Sequence, residues 1–155
     1  MTNVGAHDQA EDAPRNPEDD PHVDPALTPF GARVRALRRE RGLQLKHMAA
    51  SLGVSSAYLS ALERGERGRP TWALIQGTIH YFGVIWDEAD ELQHLAEMSE
   101  PRPQIDARGT GPQGVYLANR LARDFPGLEA ADRDAILAIL ERRKPGRVDP
   151  DRLSG

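Results

Sequence analysis

Apolar residues recur at helical spacing through most of the chain. Phe30, Val34, Leu37 and Arg41 fall at i, i+4, i+7 and i+11, the stripe of a first helix, with Arg38 and Arg39 toward its other side. Thr28 suits the N-cap and Pro29 is preorganised for the first helical position. Gly42 ends this helix as a left-handed cap. Leu45, Met48, Ala49 and Leu52 repeat at i, i+3, i+4 and i+7, a short second helix that Gly53 breaks. Ser55 caps a third helix, which turns Leu59 and Leu62 inward and stops before Gly65. Two short helices joined by a turn that holds Gly53 and the apolar Val54 have the pattern of a helix-turn-helix. A fourth helix is predicted over 71–82, with Leu74, Ile75, Ile79 and Phe82 facing the core and Gly83 at its end. A fifth spans 86–98 on the stripe Ile85, Ala89, Leu92 and Ala96, with Asp87 and Glu88 at the positive end of its dipole.

The flanks differ. Residues 1–27 are rich in Asp, Glu, Pro and Asn without apolar periodicity, and are expected to be a disordered acidic arm. Residues 99–112 hold three prolines and two glycines and read as a linker. Two more helical patterns occupy 113–143, on Val115, Ala118, Leu121, Ala122 and Phe125, then on Ala131, Ile136, Leu137 and Leu140, with Pro126 and Gly127 as the turn. This pair is too small to bury its own apolar faces. It is expected to pack on the first five helices or on a second copy, which makes it the candidate dimer contact. Residues 144–155 read as a flexible tail. The expectation is an all-α chain, with a five-helix domain over 28–98 and a C-terminal helical pair.

Composition changes this picture in one respect. Among 155 residues there are no cysteines, so disulfides and thiolate metal sites are excluded. No apolar run reaches the roughly 18 residues of a membrane span, and no signal peptide is visible at the N-terminus, so a cytoplasmic, nucleoid-associated protein is expected. The net charge of -4 would argue against a nucleic-acid partner, but it is unevenly distributed. Residues 1–27 carry a net -6, residues 28–70 a net +6, and the remainder -4. The basic block coincides with the helix-turn-helix pattern. An acidic arm beside it would compete with phosphates.

Arg41-Gly42-Leu43, Met48-Ala49, Leu52-Gly53-Val54-Ser55, Leu59-Ser60, Leu62-Glu63-Arg64-Gly65 and Arg69-Pro70 agree in one ungapped register with a known pattern. The chain resembles the XRE family there, the Cro/repressor type of helix-turn-helix, over about residues 30–83. The resemblance implies a five-helix bundle that binds double-stranded DNA as a homodimer on an inverted repeat. It also implies a structural ion pair between Arg38 and Glu63, and a loop holding Arg67 and Arg69 that meets phosphates. Second helices in the family often open on Thr or Ser followed by Gln. Here those positions are Gln44 and Leu45, so Leu45 cannot supply the usual phosphate contact.

On the third helix, Ala57, Ser60, Ala61 and Arg64 lie opposite Leu59 and Leu62, and Ser56 stands at the N-terminal end. In a helix-turn-helix this face enters the major groove. Its side chains are short. Ala57 and Ala61 can meet thymine methyls but cannot make bidentate hydrogen bonds, so Arg64, the basic loop and DNA shape carry more of the readout. The alternative is that small residues here mark tight helix packing. Gln44, Lys46 and Ser55 stand near helix N-termini and are candidates for phosphate contacts. Tyr58 either donates its hydroxyl to a phosphate or covers the core edge. Trp72 and Trp86 are read as packing residues.

The chemistry of catalysis is not visible. None of His7, His22, His47, His80 and His94 pairs with another at i, i+4, so no zinc site is expected. No phosphate-binding glycine loop is present, and Asp87, Glu88, Asp90 and Glu91 suit a solvated helix face. Neither an enzyme nor a cofactor is expected. The leading reading is a dimeric, sequence-specific transcriptional regulator. Its alternative is an antitoxin-like module that regulates its own operon and grips a protein partner through the C-terminal helices. A ligand-responsive regulator ranks last, because 84–143 are short and poor in aromatic residues.

Overall fold

The computed structural model describes residues 26–143. All but the last two residues of the expected acidic arm, and the whole expected tail, lie outside them. Among the described residues the chain is all-helical, and no helix is long and apolar enough to cross a membrane. It divides into two compact units, one ending at Pro103 and one beginning at Gln104.

The first unit is a bundle of α1 (Pro29–Glu40), α2 (Leu45–Leu52), α3 (Ser56–Glu63), α4 (Trp72–Phe82) and α5 (Asp87–Glu97). Its core is Phe30, Val34 and Leu37 of α1, Met48 and Ala49 of α2, Leu59 and Leu62 of α3, Leu74 and Phe82 of α4, Val84, and Leu92 and Ala96 of α5. Each large apolar side chain buried this way contributes about 1.5–3 kcal/mol. The ends of α1, α3 and α4 are satisfied by caps. The Thr28, Ser55 and Thr71 hydroxyls accept from the backbone N–H groups of Gly31, Tyr58 and Leu74 at 3.1, 3.0 and 3.3 Å. Gly53 closes α2 at φ 71°, a left-handed conformation that a side chain would strain, and this turn sends the chain into α3.

Three links lock α1 in place. Its N-terminus lies against the end of α3: Thr28 N–H and Oγ1 both donate to the Glu63 carbonyl, at 2.9 and 3.3 Å. The approach is close enough that a Cβ at Gly31 would stand 2.1 Å from the Glu63 oxygen. The second link is Ser99, whose hydroxyl accepts from Phe30 N–H at 2.9 Å and donates to the Leu95 carbonyl at 2.6 Å. Ser99 is buried, so the packed unit continues past residue 98, where the apolar pattern stops. At the far end, Arg41 donates to the Phe82 carbonyl and lies over the Phe82 ring at 5.3 Å, tying the end of α1 to that of α4.

The periodicity misplaces four side chains here. Arg38, read toward the outer side of α1, is buried with 6% exposure, because Glu63 neutralises it inside the bundle. Trp72 and Trp86, read as packing residues, are 75% and 81% exposed, and Ile85 is exposed as well. Trp86 is the N-cap of α5 and holds a positive φ of 52°, unusual for a residue with a side chain. Val84, two residues earlier, takes the buried position instead.

The second unit holds α6 (Gly111–Asp124), a 3-10 turn (Phe125–Gly127) and α7 (Ala130–Glu141). A reciprocal capping box of Glu129 and Asp132 starts α7. Neither helix has a buried residue. Ala118, Leu121 and Ile136 are half-covered, whereas Val115, Tyr116, Leu117, Phe125, Leu137, Ile139 and Leu140 are exposed.

Candidate nucleic-acid interface

The inner side of α3 is anchored by Leu59 and Leu62, and its end by the Glu63 carboxylate and carbonyl. Arg38 donates through its two terminal nitrogens to the two oxygens of the Glu63 carboxylate, the second at 3.1 Å. Arg35 approaches the same carboxylate at 3.6 Å, and Arg38 also reaches the Met48 sulfur at 3.7 Å. The Glu63 side chain is 1% exposed, so its charge is held by these partners rather than by bulk water.

What remains outward on α3 is narrower than the wheel suggests. Ser56 and Ala57 are exposed and Ser60 is half-buried, but Ala61 is buried with 8% exposure. The chain turns back after α3, and Glu66 N–H donates to the Ala61 carbonyl at 2.9 Å. Ala61 is therefore a packing residue and is withdrawn from the base-facing set. Arg64 caps α3 and lays its guanidinium back along the helix. It donates to Ser60 Oγ at 2.6 Å, and to the two Glu66 carboxylate oxygens at 2.9 and 3.4 Å. The hydrogen bond from Arg64, followed by its charge, holds the Glu66 carboxyl below its ordinary pKa.

The residues proposed for phosphate contact lie on α2, on α3 and its cap, and in the loop that follows α3. Gln44 is the exposed N-cap of α2 and makes no capping bond with its side chain, and Lys46 is exposed at the second position of the helix. Leu45, at the position where the family often has Gln, is half-buried against the core. Ser55 is exposed although its hydroxyl accepts from Tyr58 N–H. Arg69 is exposed, and the Arg67 guanidinium sits 5.6 Å over the Tyr58 ring, a cation–π contact that joins loop to helix. Tyr58 is half-buried and shares a cleft with Leu52, Val54, Thr71 and Leu74. On α1, Arg33 is engaged at 3.1 Å by Glu91 and at 3.7 Å by Glu40.

Two residues of this region escape sequence reasoning. Glu66 has a visible signal, an acid between Arg64 and Arg67 in an otherwise basic loop. Trp72 has none. A helical wheel puts it about 20° from the half-buried Ile79, but a wheel carries no information on height along the axis. At the first position of α4 nothing covers it.

The matches to known proteins fall on this region. A model described as a helix-turn-helix domain matches residues 29–92. The HTH-type transcriptional regulator DdrOP3 of Deinococcus deserti is 44% identical over 113 residues, covering 72% of this chain and 79% of its own length. The chain belongs to the XRE-type helix-turn-helix transcriptional regulators. Two Bacillus subtilis proteins are also similar to it. The HTH-type transcriptional repressor RghR is 47% identical over 77 residues, covering 46% of this chain and 56% of its own length. The HTH-type transcriptional regulator RghRB is 44% identical over 94 residues, covering 58% and 63%. This XRE-type chain thus spans less than two thirds of the two Bacillus relatives. No solved structure matches it. Among the described residues, no group of three or more His, Asp or Glu side chains is placed to hold a metal ion.

Proposed function

We propose that this DNA-binding regulator acts as a homodimer on an operator of two-fold symmetry. Each α3 lies in the major groove of one half-site, the half-sites being about 10 base pairs or a multiple of that apart. Ser56, Ala57, Ser60 and Arg64 face the bases. Gln44, Lys46, Ser55, Tyr58, Arg67 and Arg69 meet the backbone. The observation that carries this reading is the exposed α3 face, rigidly anchored from behind by Glu63 and flanked on the loop side by Arg67 and Arg69. Its short side chains let the helix approach closely. Arg64 is then the residue able to grip a guanine edge with two hydrogen bonds, and DNA shape supplies the rest. Repression by occupancy of the operator is the outcome we favour.

The C-terminal pair is the dimer contact in this reading. The apolar side chains exposed on α6 and α7 form the kind of unburied surface that a second copy would cover. The same surface supports a second reading, the antitoxin-like module, in which a different protein covers it. Selection of bound duplexes from a random pool, at a stated salt near physiological, tests the proposal. An enriched inverted repeat supports it. Salt-sensitive binding without a motif refutes sequence-specific recognition, and a single enriched half-site refutes the dimer.

A further inference from the structure

Trp72 is a large apolar side chain standing 75% in solvent, at the head of an otherwise well-packed helix. Its position is not arbitrary. Thr71 and Ala73, its two neighbours in the chain, line the same cleft as Tyr58 of α3. Arg69 lies three residues before it, and Arg67 stacks on Tyr58. Trp72 thus opens α4 where the basic loop ends, with its indole in solvent between two residues of the cleft that Tyr58 lines. An indole offers an apolar face and one N–H donor. A sugar–phosphate strand has the matching chemistry, an apolar deoxyribose next to an acceptor oxygen. Trp86, the other tryptophan, lies past the opposite end of α4, which is eleven residues or about 16 Å long.

We propose that Trp72 is a DNA-contacting residue, laying its indole along the sugar–phosphate backbone at the edge of the groove that α3 enters and donating its N–H to a phosphate. The inference rests on the DNA-binding reading above and adds a contact to it. It places an aromatic clamp where the basic loop ends, so the backbone is held by shape as well as by charge. The contact positions the chain and reads no base.

The test uses the full chain carrying Trp86→Phe, which leaves Trp72 as its one indole, and the reciprocal Trp72→Phe chain. The probe is a fluorescein-labelled, mixed-sequence duplex of about two helical turns (~20 base pairs) at low salt. Binding is followed by anisotropy of the label, and indole exposure by acrylamide quenching. The expected result is that quenching of Trp72 falls about threefold or more as the anisotropy saturates, while quenching of Trp86 in the reciprocal chain is unchanged. Trp72→Ala should weaken duplex binding about tenfold, the loss expected for one hydrogen bond to a charged group. Binding with unaltered Trp72 quenching overturns the contact and leaves the DNA-binding reading standing. Absence of any anisotropy change overturns both. Shielding of Trp72 that depends on protein concentration without DNA assigns the indole to a contact between copies, and also overturns the proposal.

Discussion

The buried Arg38–Glu63 pair makes an asymmetric prediction. Glu63 has two cationic partners, Arg38 inside the bundle and Arg35 at its edge, whereas the carboxylate holding Arg38 is that of Glu63. Arg38 and Glu63 are each more than nine-tenths buried as side chains, but Arg35 is 29% exposed and can turn to water. Removing Glu63 therefore strands a guanidinium in the core, with the Met48 sulfur as a poor substitute acceptor. Removing Arg38 leaves a carboxylate that Arg35 can still reach. Breaking a buried pair costs about 3–5 kcal/mol. We expect Glu63→Ala at the upper end of that range and Arg38→Ala at or below the lower end. A small domain has about 5–15 kcal/mol of stability in all, so the Glu63 variant should be close to unfolding at room temperature.

Replacing both charges by apolar side chains of similar size, Arg38→Met with Glu63→Leu, removes the desolvation penalty together with the attraction. The double variant should lose far less than the two single losses added. Urea unfolding of the full chain, followed by far-UV circular dichroism, measures all four proteins. A Glu63→Ala midpoint unchanged within about 1 kcal/mol, or a double variant equal to the sum of the singles, would refute the reasoning. DNA affinity per folded molecule should be the same in the double variant, because neither side chain faces the proposed groove surface.

Gly31→Ala should destabilise the chain by at least the 1–3 kcal/mol usual for overpacking, since its Cβ would meet the rigid Glu63 carbonyl at 2.1 Å; thermal melts check this. Glu66→Gln removes the acid that competes with phosphate for Arg64, and should tighten non-specific duplex binding about threefold at low salt. Arg69→Ala should weaken binding alike on all sequences and reduce the slope of log affinity against log salt by about 1. Leu140→Asp, on the exposed face of α7, should weaken the proposed dimer by at least about tenfold in sedimentation equilibrium, the ~1.4 kcal/mol expected from charging an apolar contact. Asp124, hydrogen-bonded by Arg123 and Arg120, has its pKa lowered to about 2. Its ion pairs are therefore intact above the ordinary Asp value and lost only as pH falls toward 2. A carboxyl midpoint near 4 by NMR would contradict the geometry.

The helices of the bundle were legible because each carries its own punctuation. Thr28, Ser55 and Thr71 announce three starts, Gly53 and Gly83 two ends, and the apolar spacing supplies the inner faces. The errors at Trp72 and Ile85 share one physical origin. A wheel treats a helix as endless, so it places Trp72 with Ile79 and Ile85 on the stripe of Leu92, although helix ends lack neighbours to cover them. Ala61 fails differently. It is on the open side by angle, yet it is 8% exposed, at the point where the chain turns back and Glu66 N–H bonds its carbonyl. Ser99 was hidden because its role is polar. It satisfies an N–H of α1 that no local residue caps, and a hydroxyl used at a separation of 69 residues leaves no periodic trace.

The charges of the first unit divide by function. Arg33, Arg35 and Arg38 sit on α1 and are spent on Glu91, Glu40 and Glu63, and Arg41 at its end on the Phe82 carbonyl, so at least four of the nine basic residues in the block 28–70 serve the fold. Lys46, Arg67 and Arg69 are solvent-facing around α3. Arg64 lies between the two groups, held by Ser60 and Glu66 on the exposed side of the helix. That tether has a consequence for recognition. A guanidinium already hydrogen-bonded parallel to α3 loses little rotamer freedom on meeting a base. To engage phosphate or guanine through Nε, however, it must exchange the Glu66 carboxylate for the new acceptor. A contact that only replaces an existing exposed ion pair adds little affinity, and a base that offers no acceptor leaves Arg64 on Glu66. In the proposed complex Arg64 therefore adds little net strength, and the strength comes from Lys46, Arg67 and Arg69 beside it, which carry no carboxylate partner to exchange among the described contacts.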